Sequence, residues 1–244
     1  AMIEGPLGKQ VAFAVALRRS VIDAVLPLFT RGRDLQLSPA YWDYQLRLSY
    51  KPTTRDELGL FVFGSDDQLS LLQSASNPSL AQQFDSHTYY VRGVLSWLHR
   101  FANSATLSLT SSVGYEVPFQ TQTQSATGAK SAQAQIASYS LRGTARLPVT
   151  SFLRVDAGLD FEGNYITLDR DDQASVGGGA AMAAGMDPSG RSGGGTTANE
   201  LTLYTNHLAA FVSGSLSLLD HRLNITPQFR LQMFSTLGYP GTDN

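Results

Sequence analysis

At residues 41–50, YWDYQLRLSY, every second side chain is apolar. Trp42, Tyr44, Leu46, Leu48 and Tyr50 alternate with Asp43, Gln45, Arg47 and Ser49. Successive side chains of an extended chain point to opposite faces, so this alternation dictates a strand with one apolar and one polar face. The pattern recurs along the chain. In 104–117, Leu107, Leu109, Val113 and Tyr115 oppose Thr106, Ser108, Thr110 and Ser112. In 151–167, Leu153, Val155, Ala157, Leu159, Phe161 and Tyr165 oppose Arg154, Asp156, Asp160, Glu162 and Asn164. In 223–235, Leu223, Ile225, Phe229, Leu231 and Met233 oppose Asn224, Thr226, Gln228, Arg230 and Gln232.

Nine segments read as strands: 10–26, 40–51, 56–65, 87–100, 104–117, 134–147, 151–167, 201–218 and 223–235. The first, QVAFAVALRRSVIDAVLPLF, also suits a helix. Segments 56–65 and 87–100 alternate less cleanly. Pro227 predicts a bulge, or a strand that starts later, because proline cannot donate to a ladder. Such a chain is all-β. Its apolar faces can line a soluble core, as in a sandwich or solenoid. They can also face lipid around a wet interior.

The links between strands discriminate between these. KPTTRDE, RFANS, LPVTS and LLDHR are tight, while 27–39, 66–86, 118–133 and 168–200 are long. Short and long links alternate without exception. A sandwich has no reason to sort its loops this way, whereas an outer-membrane barrel has short periplasmic turns and long outer loops. Aromatic spacing agrees. Trp42 and Tyr50 are eight residues apart, as are Tyr89 and Trp97. Eight residues span about 26 Å of strand, or about 20 Å of height at a tilt near 40°. Tyr115, Tyr165 and Tyr204 fall near the ends facing the long loops.

Composition removes other classes. No run approaches the roughly 18 apolar residues of a spanning helix, which leaves strand crossings open. Hydrophobic residues make up 42% of the 244, too many for a disordered chain. The net charge of −2, without a basic run, gives no footprint for nucleic acid. The absence of cysteine excludes disulfides and thiolate metal sites.

RRSVIDAVLPLF (18–29) and YWDYQLRLSYKPTTRDELGLFVFGSDDQL (41–69) resemble the first barrel hairpins of TonB-dependent outer-membrane receptors, in particular the large receptors of myxobacteria and related Gram-negative bacteria. That resemblance implies a transmembrane antiparallel barrel of 22 strands around a plug domain. It also implies a bacterial outer-membrane location and uptake of a scarce nutrient (a siderophore, vitamin or oligomeric substrate) driven by the TonB energy complex. On this reading residues 1–244 are the N-terminal part of the barrel, about nine strands. The chain carries no plug and no readable Ton box. Nine strands leave the two ends on opposite sides, and an open sheet cannot rest in lipid with unsatisfied edge amides. The plug and further strands are therefore expected partners, beside membrane lipid and lipopolysaccharide. The other reading is a structural or interaction barrel for adhesion, motility or secretion.

The residues expected to face the lumen, toward a plug or solute, are Asp43, Arg47, Arg92, Arg142, Arg154, Asp156, Asp160, Glu162 and Arg230. Those expected at the lipid interface are Trp42, Tyr44, Tyr50, Tyr89, Trp97, Tyr115, Tyr165 and Tyr204. The carboxylates of LDRDDQ (168–173) and GSDDQ (64–68) match no calcium-loop spacing, so no metal site or cofactor is expected. SVGGGAAMAAGMDPSGRSGGGTT (175–197) lacks the lysine of a phosphate loop and reads as a mobile outer loop. His87 and His207 map to the loop side, His99 and His221 to the turn side. No motif places a nucleophile beside them, so enzymatic activity is not expected.

Overall fold

The computed structural model describes residues 1–22, 25–26, 35–73, 82–124, 128–170, 200–218 and 222–240. The glycine-rich stretch 175–197, His221 and the carboxylates at 171–172 lie outside them. The strands are β1 (Met2–Pro6), β2 (Val11–Arg19), β3 (Leu35–Tyr50), β4 (Asp56–Gln73), β5 (Gln82–Arg100), β6 (Thr106–Gln124), β7 (Gly128–Pro148), β8 (Leu153–Arg170), β9 (Glu200–Leu218), β10 (Leu223–Ile225) and β11 (Gln228–Pro240). All belong to one sheet, each hydrogen-bonded to its sequence neighbour, except that β10 and β11 both pair with β9. Every pairing is antiparallel.

No second sheet packs on this one among the described residues, which sets aside the sandwich. Nor does β1 pair with β10 or β11, so the sheet is open. Among the described residues the buried apolar ones are Ala105, Ala134, Ile166, Leu203 and Ala209. A single layer has little interior of its own.

The short links are built as turns. In 51–55 the Thr53 hydroxyl accepts the Arg55 and Asp56 amides and donates to the Asp56 carboxylate at 2.7 Å. In 101–105 Asn103 accepts the Ala105 amide, and Ser104 takes a left-handed φ of 63°. In 149–152 the Thr150 hydroxyl accepts the Leu153 amide at 3.0 Å. Side chains that satisfy turn amides locally let the chain reverse within four or five residues.

The register makes the strands lean. One cross-strand row runs Val11, Tyr50, Leu58, Trp97, Leu109, Gly143, Leu159, Ala210, Leu231. It passes the last residue of β3, Tyr50, and crosses β9 eight residues before its end at Leu218. The stagger is about one residue per strand. At about 3.3 Å per residue and 4.8 Å between strands, level turns require a tilt of roughly 40°, the lean of a barrel wall.

Several expectations change. The segment 10–26 is a strand only to Arg19, and Ile22, Val25 and Leu26 are helical. A hairpin partner, β1, precedes it. The described residues thus form eleven strand segments where nine are expected. Pro227 makes no bulge. The residue numbers of paired positions sum to the same value on both sides of it, Ile225 to Leu216 and Gln228 to Ser213, so β10 and β11 are one strand interrupted in register. Gly214 still donates to the Pro227 carbonyl at 3.0 Å. Only the return bond, which proline cannot make, is lost. Most of 66–86 and 118–133 is strand rather than loop. There β4–β5 and β6–β7 run on as hairpins, and links remain only at 74–81 and 125–127.

Candidate functional site

Paired residues share a face, so the register sorts every described side chain onto one side of the wall. One face carries Trp42, Tyr44, Leu46, Leu48 and Tyr50 of β3. It continues through Leu58, Leu60 and Val62 of β4, Val91, Leu95 and Trp97 of β5, and Leu159 and Phe161 of β8. All eight candidate interface aromatics stand on it. Between Asp56 and His99 at the turn end and Asp66 and His87 at the other, the described residues of this face include no charge. None of the described residues covers it. Val113 is 67% exposed and Leu159 60%. Glycine is required where an aromatic ring lies on the backbone: a Cβ on Gly64 would sit 2.6 Å from Tyr44 Cζ and closer still to the Tyr90 carbonyl.

The other face collects all nine candidate charges. On β7–β11 they interlock. Asp160, only 6% exposed, receives Arg142 Nε at 2.5 Å, and Arg230 Nη1 lies 3.1 Å from its other oxygen. Asp156 holds Arg146 at 2.8 Å and Arg154 at 3.5 Å. Glu162 meets His207 Nδ1 at 2.8 Å, and the imidazole stacks on Phe234 at 4.3 Å between ring centres. A carboxylate held between guanidiniums braces neighbouring strands. Asp43 pairs with Arg18 at 3.3 Å. Arg92 instead donates to Ser138 at 3.1 Å and lies 5.7 Å from the Tyr90 ring centre. Arg47 has no ion pair or side-chain hydrogen bond among the described residues.

Sequence reasoning missed four partners on this face. Arg146 and His207 belong to the ion-pair set, and their strand alternation could have found them. Phe61 and Phe63 are apolar residues on the polar side, stacked at 4.8 Å. Their neighbours in LGLFVFG are also apolar, which hides the period.

Above Trp42, Tyr89, Tyr115, Tyr165 and Tyr204 the alternation reverses. Two rows of apolar side chains, Leu37–Leu71–Phe84 and Ile136–Ile166–Leu203, now stand on the side that carries charge below. Gln68 and Ser70 of β4, Gln133 and Gln135 of β7, Thr167 and Asp169 of β8 and Thr202 of β9 take the opposite side. The carboxylates of 64–68 are split, with Asp66 and Asp67 on different faces. Asp66 holds His87 Nε2 at 2.8 Å, and Asp56 holds His99 Nδ1 at 2.7 Å. No group of three or more His, Asp or Glu side chains with metal-binding geometry occurs among the described residues.

An open, tilted, antiparallel meander with one uncovered apolar face and one ion-paired face is the wall of a large barrel, cut along two strands. Among solved structures the fold matches the barrel of a TonB-dependent receptor. That structure is the ferric-catecholate import receptor Fiu from E. coli K12, in its open form, with a TM-score of 0.52 and 11% sequence identity. The match covers 96% of this chain and 51% of that one. The chain thus spans about half the length of the receptor it resembles. No family model matches the sequence, and no curated protein does.

Proposed function

We propose that this chain is part of the wall of an outer-membrane receptor barrel that imports a scarce nutrient under the drive of a TonB energy complex. The observation that carries the reading is the charge-free apolar band and its reversal at the upper aromatics. A face so apolar and uncovered is unstable in water and suits hydrocarbon. The band is about 20 Å high at the tilt the register requires, which suits the outer membrane. Above it, outward Gln68, Ser70, Gln133 and Thr167 suit water and lipopolysaccharide. The interlocked charges then face a wet lumen. The open edges at β1 and β11 are completed by further strands, since unpaired amides in lipid cost several kcal/mol each.

Spin labels at positions 46 and 47 of the full-length protein in membranes test the orientation. Position 46 should relax with oxygen and position 47 with a water-soluble nickel complex; the reverse pattern ends the reading. Transport is tested separately, by comparing growth on candidate nutrients with and without a working TonB complex. Growth equal in the two strains on every nutrient that needs this protein would replace the transporter with a passive or structural barrel.

A further inference from the structure

The tight turns at the foot of the wall carry an unbalanced charge. Under β1–β6 three of them, 7–10, 51–55 and 101–105, are stitched into one rim. Gln10 donates its side-chain amide to the Pro52 carbonyl at 3.1 Å, and the Lys51 amide donates to the Gln10 carbonyl at 2.8 Å. The Arg100 amide donates to the Arg55 carbonyl at 2.8 Å. Lys9, Lys51, Arg55 and Arg100 lie on this rim with two carboxylates, Asp56 and Glu57. Both carboxylates are engaged within it. Glu57 stands between Lys51 at 3.7 Å and Arg100 at 3.5 Å. Asp56 accepts from the Thr53 hydroxyl, from the Trp97 indole at 3.2 Å and from His99 Nδ1 at 2.7 Å. The next carboxylate along, Glu4, lies higher on the charged face, across from Ala14. Lys9 and Arg55 are exposed, and neither has an ion pair or a side-chain hydrogen bond among the described residues. Apolar side chains accompany them. Leu7 and Phe101 are exposed although they sit in turns, and Phe101 meets His99 edge-on at 4.5 Å between ring centres. The outer side of the opposite rim has the reverse balance among the described residues, with Asp66, Asp85, Asp169 and Glu200 against Arg19 and His87.

We propose that this rim binds anionic phospholipid of the periplasmic leaflet, with Lys9 and Arg55 as the phosphate contacts and Leu7, Trp97 and Phe101 at the boundary between headgroup and acyl chain. The inference rests on the barrel reading given above, under which the tight turns lie at that leaflet. Trp97 stands at the foot of the apolar band, two residues from the charged His99–Asp56 pair, so a headgroup beside its indole is level with the turns. Cations at that height are drawn to an anionic surface, and the attraction fades within a Debye length, so charges elsewhere on the wall add little. Exposed leucine and phenylalanine next to unpaired cations are unfavourable in water and suit the headgroup boundary. The stitching holds the turns two strand spacings apart, about 10 Å. Lys9 and Arg55 therefore meet phosphates without the turns having to order first. The acidic outer flank at the other rim confines this attraction to the turn side.

Native mass spectrometry of the full-length protein, titrated in detergent micelles with phosphatidylglycerol or phosphatidylcholine, tests the preference. Phosphatidylglycerol should bind about tenfold more tightly than phosphatidylcholine. Lys9→Gln with Arg55→Gln should lower the phosphatidylglycerol affinity about tenfold and leave that of phosphatidylcholine unchanged. Arg146→Gln, on the charged face, should change neither. Equal affinity for the two lipids, or a phosphatidylglycerol affinity that the double variant does not lower, overturns the proposal. So does lipid A that binds more tightly than phosphatidylglycerol and is lost with the same variant, since the rim would then serve the other leaflet. A spin label at position 46 in the same protein, in membranes, separates the two failures. If it reports lipid, the barrel reading stands and only the headgroup site is lost; if it reports water, both fall.

Discussion

The depth of the apolar band predicts a graded penalty for charge. Leu46 lies midway between Trp42 and Tyr50, in register with Val62 and Gly93 on the same face. It is therefore about 10 Å from either aromatic level. Arginine on the lipid face costs about 2–4 kcal/mol at the midplane and about 0–1 kcal/mol at the interface. Leu46→Arg should accordingly destabilise the full-length protein by about 3 kcal/mol, and Trp42→Arg or Tyr50→Arg by clearly less once lost ring packing is measured with alanine. Gln45→Arg, one residue away on the charged face, should cost less than 1 kcal/mol. The assay is reversible unfolding in urea after insertion into phospholipid vesicles, read by tryptophan fluorescence and mobility on gels. A penalty equal at 45 and 46, or flat from 42 to 50, would refute the assignment of faces.

Four further outcomes follow from the geometry. Gly64→Ala should destabilise by about 1–3 kcal/mol by driving a methyl into Tyr44 and the Tyr90 carbonyl, and Tyr44→Ala should relieve only the first part in a double-mutant cycle. Arg142→Met leaves the buried Asp160 with Arg230 alone and should cost about 1–3 kcal/mol, whereas Arg154→Met, at an exposed pair, should cost less than 1 kcal/mol. A cysteine at Ser70, high on the β4–β5 hairpin, should react with an impermeant maleimide on intact cells, and one at Thr53 only after lysis; equal labelling would invert the topology. Pro227→Val should restore the missing bond to Gly214 and raise stability by about 0.5–1.5 kcal/mol, measured by the same unfolding assay.

What the sequence disclosed was whatever alternation could carry. β3 and β8 alternate cleanly, and they carry four of the eight aromatics and six of the nine charges. β1 was silent because MIEGP is short, with a glycine and a proline and no period to detect. The upper halves of β6 and β7 look like loops in the sequence because QTQTQ is polar on both sides, and a strand flanked by water needs no apolar face. The reversal above the tyrosines broke the period in the middle of β4, making a long strand look like a short noisy one followed by a loop. Pairs such as Glu162–His207 depend on the register across the long link 171–199, which no single strand encodes. The same holds for the contrast between paired and unpaired arginines, since it is a property of neighbours rather than of any motif.

The overshoot of the strands sets where this wall meets the outside world. β7 has 21 residues, and the nine before Ala137 rise past the level of Tyr115. At the tilt of the wall they add about 23 Å, as much again as the apolar band. The β4–β5 hairpin rises almost as far. On the reading proposed above, a molecule approaching the cell meets a hydrogen-bonded collar before it meets lipid.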